Sequence, residues 1–202
     1  MSKFYFPKSI ISRPTYGTLE PRPGKSHLMI ADAEGAEALL DLAVADSSLM
    51  AKSHILYFPK DTGTAYVEKL EALGAAQFYV GPSYEASVSR LRRVLSDAHM
   101  GLQVYLSGTE SLIGQAMQEA VSAGILHTAI QTEHRGSVAR RMQCVHCKGI
   151  TEDVVVDPFV CSHCGLNLFV RDHYSRRHAA FQGVCVDAED PGNVPEPTEI
   201  YS

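Results

Sequence analysis

Two Cys-x-x-Cys pairs, Cys144/Cys147 and Cys161/Cys164, stand thirteen residues apart in "CVHCKGITEDVVVDPFVCSHCG". Each pair turns the chain so that two thiolates face one ion, and two such turns complete a closed, tetrahedral site of four sulfurs. A redox dithiol would need only one pair. The spacer "KGITEDVVVDPFV" holds the apolar run Val154 to Val156 and then Pro158, which predicts a β-hairpin leading back to the second pair. Gly165, directly after Cys164, suits the tight turn. A ribbon of about thirty residues buries too little apolar surface to fold unaided, so the metal is expected to hold it. Four thiolates accept either zinc or a single rubredoxin-like iron, with zinc favoured and mononuclear iron the alternative. His146 and His163 sit inside the turns, and with four cysteines present they are expected beside the ion or at the surface.

The rest of the chain has room for more than this ribbon. Its 202 residues, 45% hydrophobic and 20% charged, suit one medium domain plus a small module. There is no run of eighteen apolar residues, and Pro and Lys break the amino-terminal stretch before a signal-peptide core forms, so a cytoplasmic protein is expected. Paired cysteines agree with a reducing compartment. The fifth, Cys185, lies between Val184 and Val186 as a buried strand thiol would. The formal charge of -5 resides in the last sixteen residues, which carry Asp187, Glu189, Asp190, Glu196 and Glu199 and no base. That tail is expected to stay free or to lie against a partner. Such a balance argues against nucleic acid.

From Ser26 to His134 short apolar runs alternate with longer segments of helical periodicity. "HLMIAD", "HILYFP", "AQFYVG", "LQVYLSG" and "HTAIQTEH" read as strands, with four helical segments between them. Strict alternation predicts a five-stranded parallel sheet in a three-layer α/β domain, because each crossover must lay a helix on one face. Gly74 and Gly124 end helices in this reading, and Ser83 or Thr109 can cap the next ones. The expected domains are an extended arm over 1–24, the α/β domain over 25–140, the four-cysteine ribbon over 141–172, and a basic helix with the acidic tail over 173–202.

Ligands of such sheets bind at the carboxyl ends of the strands, where strand order reverses. A dinucleotide would need a glycine-rich first loop. "ADAEGA" offers one glycine and two carboxylates, Asp32 and Glu34, which would repel a phosphate. No catalytic group stands out: Ser107 in "YLSGTES" lacks the frame of a hydrolase elbow. Past the ribbon, "NLFVRDHYSRRHAAFQGV" concentrates Arg171, His173, Arg176, Arg177 and His178. With Asp172 as cap of a helix, His173 and Arg177 share a face, a docking surface for carboxylates, phosphates or haem propionates of a partner. A solvated helix paired with the acidic tail is the plainer alternative. Arg135, Arg140 and Arg141 in "HRGSVARRMQ" read as a basic linker.

Residues 25 to 135 resemble the nucleotide-binding domain of ferredoxin-reductase-type flavoproteins. "HLMIADAEGAEALLDLA" sits where those proteins carry their glycine-rich turn, and "QVYLSGTESLIGQAMQEAVSAGI" is similar to their Cys-Gly-Pro strand and following helix. Ser107 and Thr109 replace the Cys and Pro around Gly108. Together with "SRPTYGTLEP", "CVHC", "CSHCG" and "RDHYSRRHAAFQGV", this segment resembles the DmmA subunit family of bacterial dimethylamine monooxygenase. The resemblance implies an accessory subunit, without catalytic or cofactor-binding residues of its own beyond the metal site. Its partners would be a haem-binding subunit and a reductase subunit carrying FMN and an iron-sulfur cluster. Together they would use NAD(P)H and oxygen to convert dimethylamine to methylamine and formaldehyde. This chain would dock the reductase on the haem subunit, with electron relay through the tetrathiolate as a sharper variant. A zinc-ribbon adaptor with no redox role is the alternative.

Overall fold

Each apolar run between Ser26 and His134 forms a strand, and each longer segment a helix. In order these are β1 (Ser26–Asp32), α1 (Gly35–Ala45), β2 (Ser53–Phe58), α2 (Val67–Glu71), β3 (Gln77–Val80), α3 (Tyr84–Ser96), β4 (Leu102–Gly108), α4 (Glu110–Ser122) and β5 (Ile130–His134). The computed structural model describes residues 12–200 in two units, one of residues 16–139 and one of residues 140–200 together with 12–15.

In the first unit all five strands are parallel, in the order β3-β2-β1-β4-β5, so the order reverses between β1 and β4. Both faces of the sheet are covered, which is why the strands read as continuous apolar runs. With a side-chain period of two, Met29, Ala31, Ile55, Tyr57 and Tyr105 pack under α1, while Leu28, Ile30, Leu56, Val104 and Leu106 pack under α3 and α4. Ser83 Oγ accepts the Ala86 N–H at 3.2 Å and Thr109 Oγ1 the Leu112 N–H at 3.4 Å, capping α3 and α4. Gly74 and Gly124, just past α2 and α4, take the left-handed conformation with φ of 67° and 86°.

The segment expected as an extended arm joins this unit over residues 16–22. The Gly17 N–H donates to the Thr132 carbonyl at 2.9 Å, the Gln131 amide exchanges bonds with the backbone of Glu20 at 3.0 and 2.8 Å, and the Leu19 N–H donates to the buried Glu133 carboxylate at 2.7 Å. The first of these bonds satisfies a carbonyl of the outer strand β5, and the others satisfy the backbone of the arm through β5 side chains. Residues 1–11 of the expected arm lie outside the described residues.

The second unit consists of β6 (Arg140–Cys144), β7 (Ile150–Val154), β8 (Val156–Asp157), β9 (Phe159–Val160), β10 (Asn167–Ser175), β11 (Ala180–Cys185) and β12 (Thr198–Glu199). Its main sheet has the order β7-β6-β11-β10-β9. The spacer between the cysteine pairs does not fold on itself as expected. Instead β7 pairs antiparallel with β6, and β9 pairs antiparallel with β10, so each cysteine pair forms the turn of its own hairpin.

Residues 173–178 are not helical, and Asp172 is not a helix cap. Residues up to Ser175 belong to β10, residues 176–179 make the turn, and Ala180 opens β11. The reason is the cross-strand partner: Tyr174 lies opposite Phe181, their rings 5.0 Å apart edge to face, a contact that hairpin pairing creates and a helix would not. The ribbon and the segment after it therefore share one sheet. The acidic tail also returns, since Thr198 and Glu199 pair with Asp157 and Val156 and the Ile200 N–H donates to the Val155 carbonyl at 2.9 Å. No helix among the described residues is long and apolar enough to cross a membrane.

Candidate metal centre

The two hairpin turns are near copies of each other. The Cys144 N–H donates to the Gly149 carbonyl at 3.0 Å and the Lys148 N–H to the Cys144 carbonyl at 3.0 Å; in the second turn Cys161 bonds Leu166 at 2.9 Å and Gly165 bonds Cys161 at 3.0 Å. Both need a left-handed residue at the same place, and it is Lys148 (φ 63°) in one and Gly165 (φ 73°) in the other. A side chain in that region costs about 1–2 kcal/mol, part of which glycine gives back as chain entropy. Lys148→Gly is therefore expected to stabilise the second unit by about 0.5–1 kcal/mol, read as a rise in its thermal midpoint with the metal bound.

The turns also hold each other. The Ser162 N–H donates to Thr151 Oγ1 at 3.2 Å, and His163 Nε2 lies 2.9 Å from the Ile150 carbonyl, donating to it. The His163 ring packs against Gly149 so closely that a Cβ there would overlap it. His163 is thus a clamp and not a ligand, in keeping with the four-cysteine set. His146 is exposed.

This clasp brings Cys144 Sγ to 3.9 Å from Cys164 Sγ and Cys147 Sγ to 3.7 Å from Cys161 Sγ, with all four sulfurs within 4.8 Å of one another. Four sulfurs held about 2.3 Å from a central ion define a tetrahedron with edges of about 3.8 Å, so the arrangement fits a tetrathiolate metal. Cys144 and Cys161 are buried among Met142, Val154, Phe159, Leu168 and Phe181, while Cys147 and Cys164 lie in exposed turns. Burial pushes the Cys161 thiol up, but the backbone N–H groups of Cys164 and His163 and the neighbouring sulfurs outweigh it and bring it to about 6. Such N–H donors stabilise thiolate ligands. Cys185 is separate: it is half-buried at the end of β11, and its thiol donates to the Asp187 carboxylate at 3.2 Å, which raises it above the usual thiol range.

The basic residues separate into two sets. Arg171, His173, Arg176, Arg177 and His178 are all exposed, on β10 and at the tip of the β10–β11 turn. The expected linker arginines are instead engaged internally. Arg140 is buried, stacks over the Phe181 ring at 4.1 Å and donates to Asp172 at 2.8 Å; Arg13 pairs with the same carboxylate, and Arg141 with Glu152. A bulge in β10 between Arg171 and Tyr174 frees Asp172 for this role. Asp172→Asn removes the counter-charge of a buried guanidinium but leaves an acceptor, and is expected to cost about 1–2 kcal/mol in the unfolding of this unit.

At the carboxyl ends of β1 and β4, where strand order reverses, the chain fills its own crevice. Asp32 is buried; its carboxylate accepts the Thr109 N–H at 2.7 Å and the Thr109 hydroxyl at 2.6 Å, and Lys60 Nζ stands at 3.2 Å. The backbone donor that opens α4 is thus taken by an internal carboxylate. Gly108 (φ 120°) makes room for it, since a Cβ there would overlap Asp32. The single glycine of the first loop, Gly35, presses α1 against the Ser107 carbonyl and leaves no space for a side chain. Ser107 is buried and donates to the Gly35 carbonyl at 2.8 Å. Glu133 of "TEH" is likewise internal, held by Arg135, which also reaches Asp41 on α1 at 3.2 Å. Sequence reasoning took Asp32 as a repelling charge and missed Lys60, whose place just after β2 was the available signal.

A doubly wound α/β unit whose switch point is closed by its own carboxylate, followed in the chain by a tetrathiolate β unit, defines the class of this protein. The chain belongs to the DmmA-like family of dimethylamine monooxygenase subunits: residues 8–130 match its N-terminal domain and residues 141–184 its C-terminal domain. It is 36% identical over 109 residues to the heme-dependent oxidative N-demethylase delta subunit of Ectopseudomonas mendocina (strain ymp), a match covering 52% of this chain and 62% of that one. The chain thus spans less than two thirds of this relative. Among solved structures, the flavohemoglobin of Malassezia yamatoensis with bound FAD and heme is 18% identical, covering 59% of this chain and 34% of that one at a TM-score of 0.40. Full-length CYP116B46 of Tepidiphilus thermophilus is 15% identical, covering 75% and 19% at 0.41.

Proposed function

We propose that this chain is an accessory, non-catalytic subunit of a haem-dependent oxidative demethylase of the cytoplasm, which converts dimethylamine to methylamine and formaldehyde with NAD(P)H and oxygen. Haem, FMN and the iron-sulfur cluster belong to partner subunits, and this chain docks the reductase on the haem subunit. The observation that carries the reading is Asp32: the crevice where this fold would take a nucleotide is bonded shut by its carboxylate, which leaves the α/β unit as a platform. The delta-subunit relative supports the kind of complex. Cys144, Cys147, Cys161 and Cys164 hold the metal, zinc in this reading, as in a zinc ribbon. Zinc supplies closure of the fold; iron would add a one-electron couple, and the exposed turns of Cys147 and Cys164 favour that second reading by letting a partner approach.

Arg171, His173, Arg176, Arg177 and His178 form the docking surface, since exposed guanidinium groups pair with carboxylates or propionates of a partner. The test combines elemental analysis and an absorption spectrum with reconstitution of the partner subunits. One zinc per chain, co-elution with the partners, and dimethylamine oxidation that falls at least tenfold in Arg176→Glu/Arg177→Glu would support the proposal. Full turnover by the partners without this chain would overturn it. One iron per chain with bands that bleach on reduction would replace the clasp by a relay.

A further inference from the structure

The opposite edge of the α/β sheet, away from the switch point, carries a second concave site. A cleft of about 1050 Å³ opens between the amino ends of β1, β2 and β3 and the helix α3. Lys25, Lys52, Arg90 and Arg93 line it, with His54 and His99 between them, and Asp97 is the single acid in its wall. These six groups come from four separate stretches of sequence, and only the parallel crossovers bring them to one place.

None of the four cations is in an ion pair with a carboxylate among the described residues. Arg90 instead lies over the Tyr79 ring at 4.1 Å, which fixes its guanidinium at the wall. His27, also lining the cleft, is 2% exposed, and its Nδ1 has no hydrogen-bond partner among the described residues. A buried polar nitrogen left unbonded costs on the order of 1–3 kcal/mol, so a bound water is expected to complete it. Burial, with the neighbouring cations second, disfavours the charged form of two imidazoles in the cleft. Burial and then Lys52 hold His27 below its ordinary range, against Asp46; burial and then Arg90 do the same to His54. Concave walls of one sign concentrate counter-ions.

We infer that this cleft is a binding site for a small polyanion, a molecule carrying two or more phosphate or carboxylate groups. A concave site of this volume is of small-molecule size, whereas an acidic protein surface would call for a flatter, more extended basic face. The inference stands independently of the demethylase reading, because the probe is bound by the isolated chain.

The test is calorimetric titration of the metal-loaded full chain with pyrophosphate and, separately, citrate. The expected result is one saturable site with a dissociation constant below about 1 mM, and at least a tenfold loss of affinity in Lys52→Gln/Arg93→Gln. Both side chains are exposed, so the fold is retained, which circular dichroism and the melting point verify. Lys69→Gln, on α2 outside the cleft, is expected to bind as the parent does. Preference for pyrophosphate supports a phosphate ligand, and preference for citrate a polycarboxylate. Absence of saturable binding, or undiminished affinity in the double variant, overturns the proposal. So would saturable binding of poly-glutamate with neither small anion bound, which assigns the face to an acidic protein partner instead.

Discussion

Cys161→Ser is expected to strip the metal from the protein and to unfold residues 140–200 while residues 26–134 stay native. Among the described residues the core cluster of the second unit has seven buried residues, and two of them, Cys144 and Cys161, belong to the four-cysteine set. Domains of this size fall short on apolar burial, and a structural zinc contributes about 10–16 kcal/mol to folding in small zinc modules. Serine loses the thiolate and also leaves a hydroxyl among Phe159, Leu168 and Phe181. Position matters within the set. Cys147→Ser, in an exposed turn, is expected to weaken metal binding with less damage to the sheet than the change at the buried Cys161. Elemental analysis and hydrogen exchange resolved by residue provide the check. Retention of one metal per chain, or undisturbed protection of β6, β10 and β11 in the metal-free variant, would contradict the account.

The second large effect is expected at the other end of the chain's chemistry, where no metal is involved. Asp32→Ala should lower the stability of the α/β unit by about 2–4 kcal/mol, because it strands the buried Thr109 N–H and leaves a cavity between β1 and β4. Lys60 is 40% exposed and can turn to water, so the loss of its partner adds little. The melting midpoint should fall by about 10 °C. Gly108→Ala attacks the same contact from the other side, since its Cβ would overlap the Asp32 carboxylate at a φ of 120°. It is expected to be as damaging. Asp32→Asn keeps an acceptor and should cost about half as much. A melting point unchanged in Asp32→Ala would mean that the carboxylate is not holding the switch point together. Saturable NAD(P)H binding by the parent chain would contradict the platform reading.

These two sites differ in how far the sequence discloses them. The four cysteines were legible at once, because ligand spacing within one hairpin turn is a local property. Their partners were not: the sequence places His163 beside the ion or at the surface, but its bond to the Ile150 carbonyl exists only because the second turn meets β7 of the first hairpin. The run "RDHYSRRH" shows the same limit. Its charges hide a strand, and Tyr174 finds its place through Phe181, a partner across the turn.

What the sequence by itself determined are the properties carried by period and spacing. Five strands between four helices, the caps at Ser83 and Thr109, the left-handed glycines at Gly74 and Gly124, and the tetrathiolate set all follow from residues within a few positions of one another. The tertiary structure alone decided which strands are neighbours and therefore which charges meet. Asp32 and Thr109 are 77 residues apart in the chain and 2.7 Å apart in space, because β1 and β4 are adjacent at the reversal of strand order. The cations around the amino edge converge for the same reason. A local pattern fixes an element's type, but the free energy that chooses its neighbour comes from burial of faces that no short window of sequence contains.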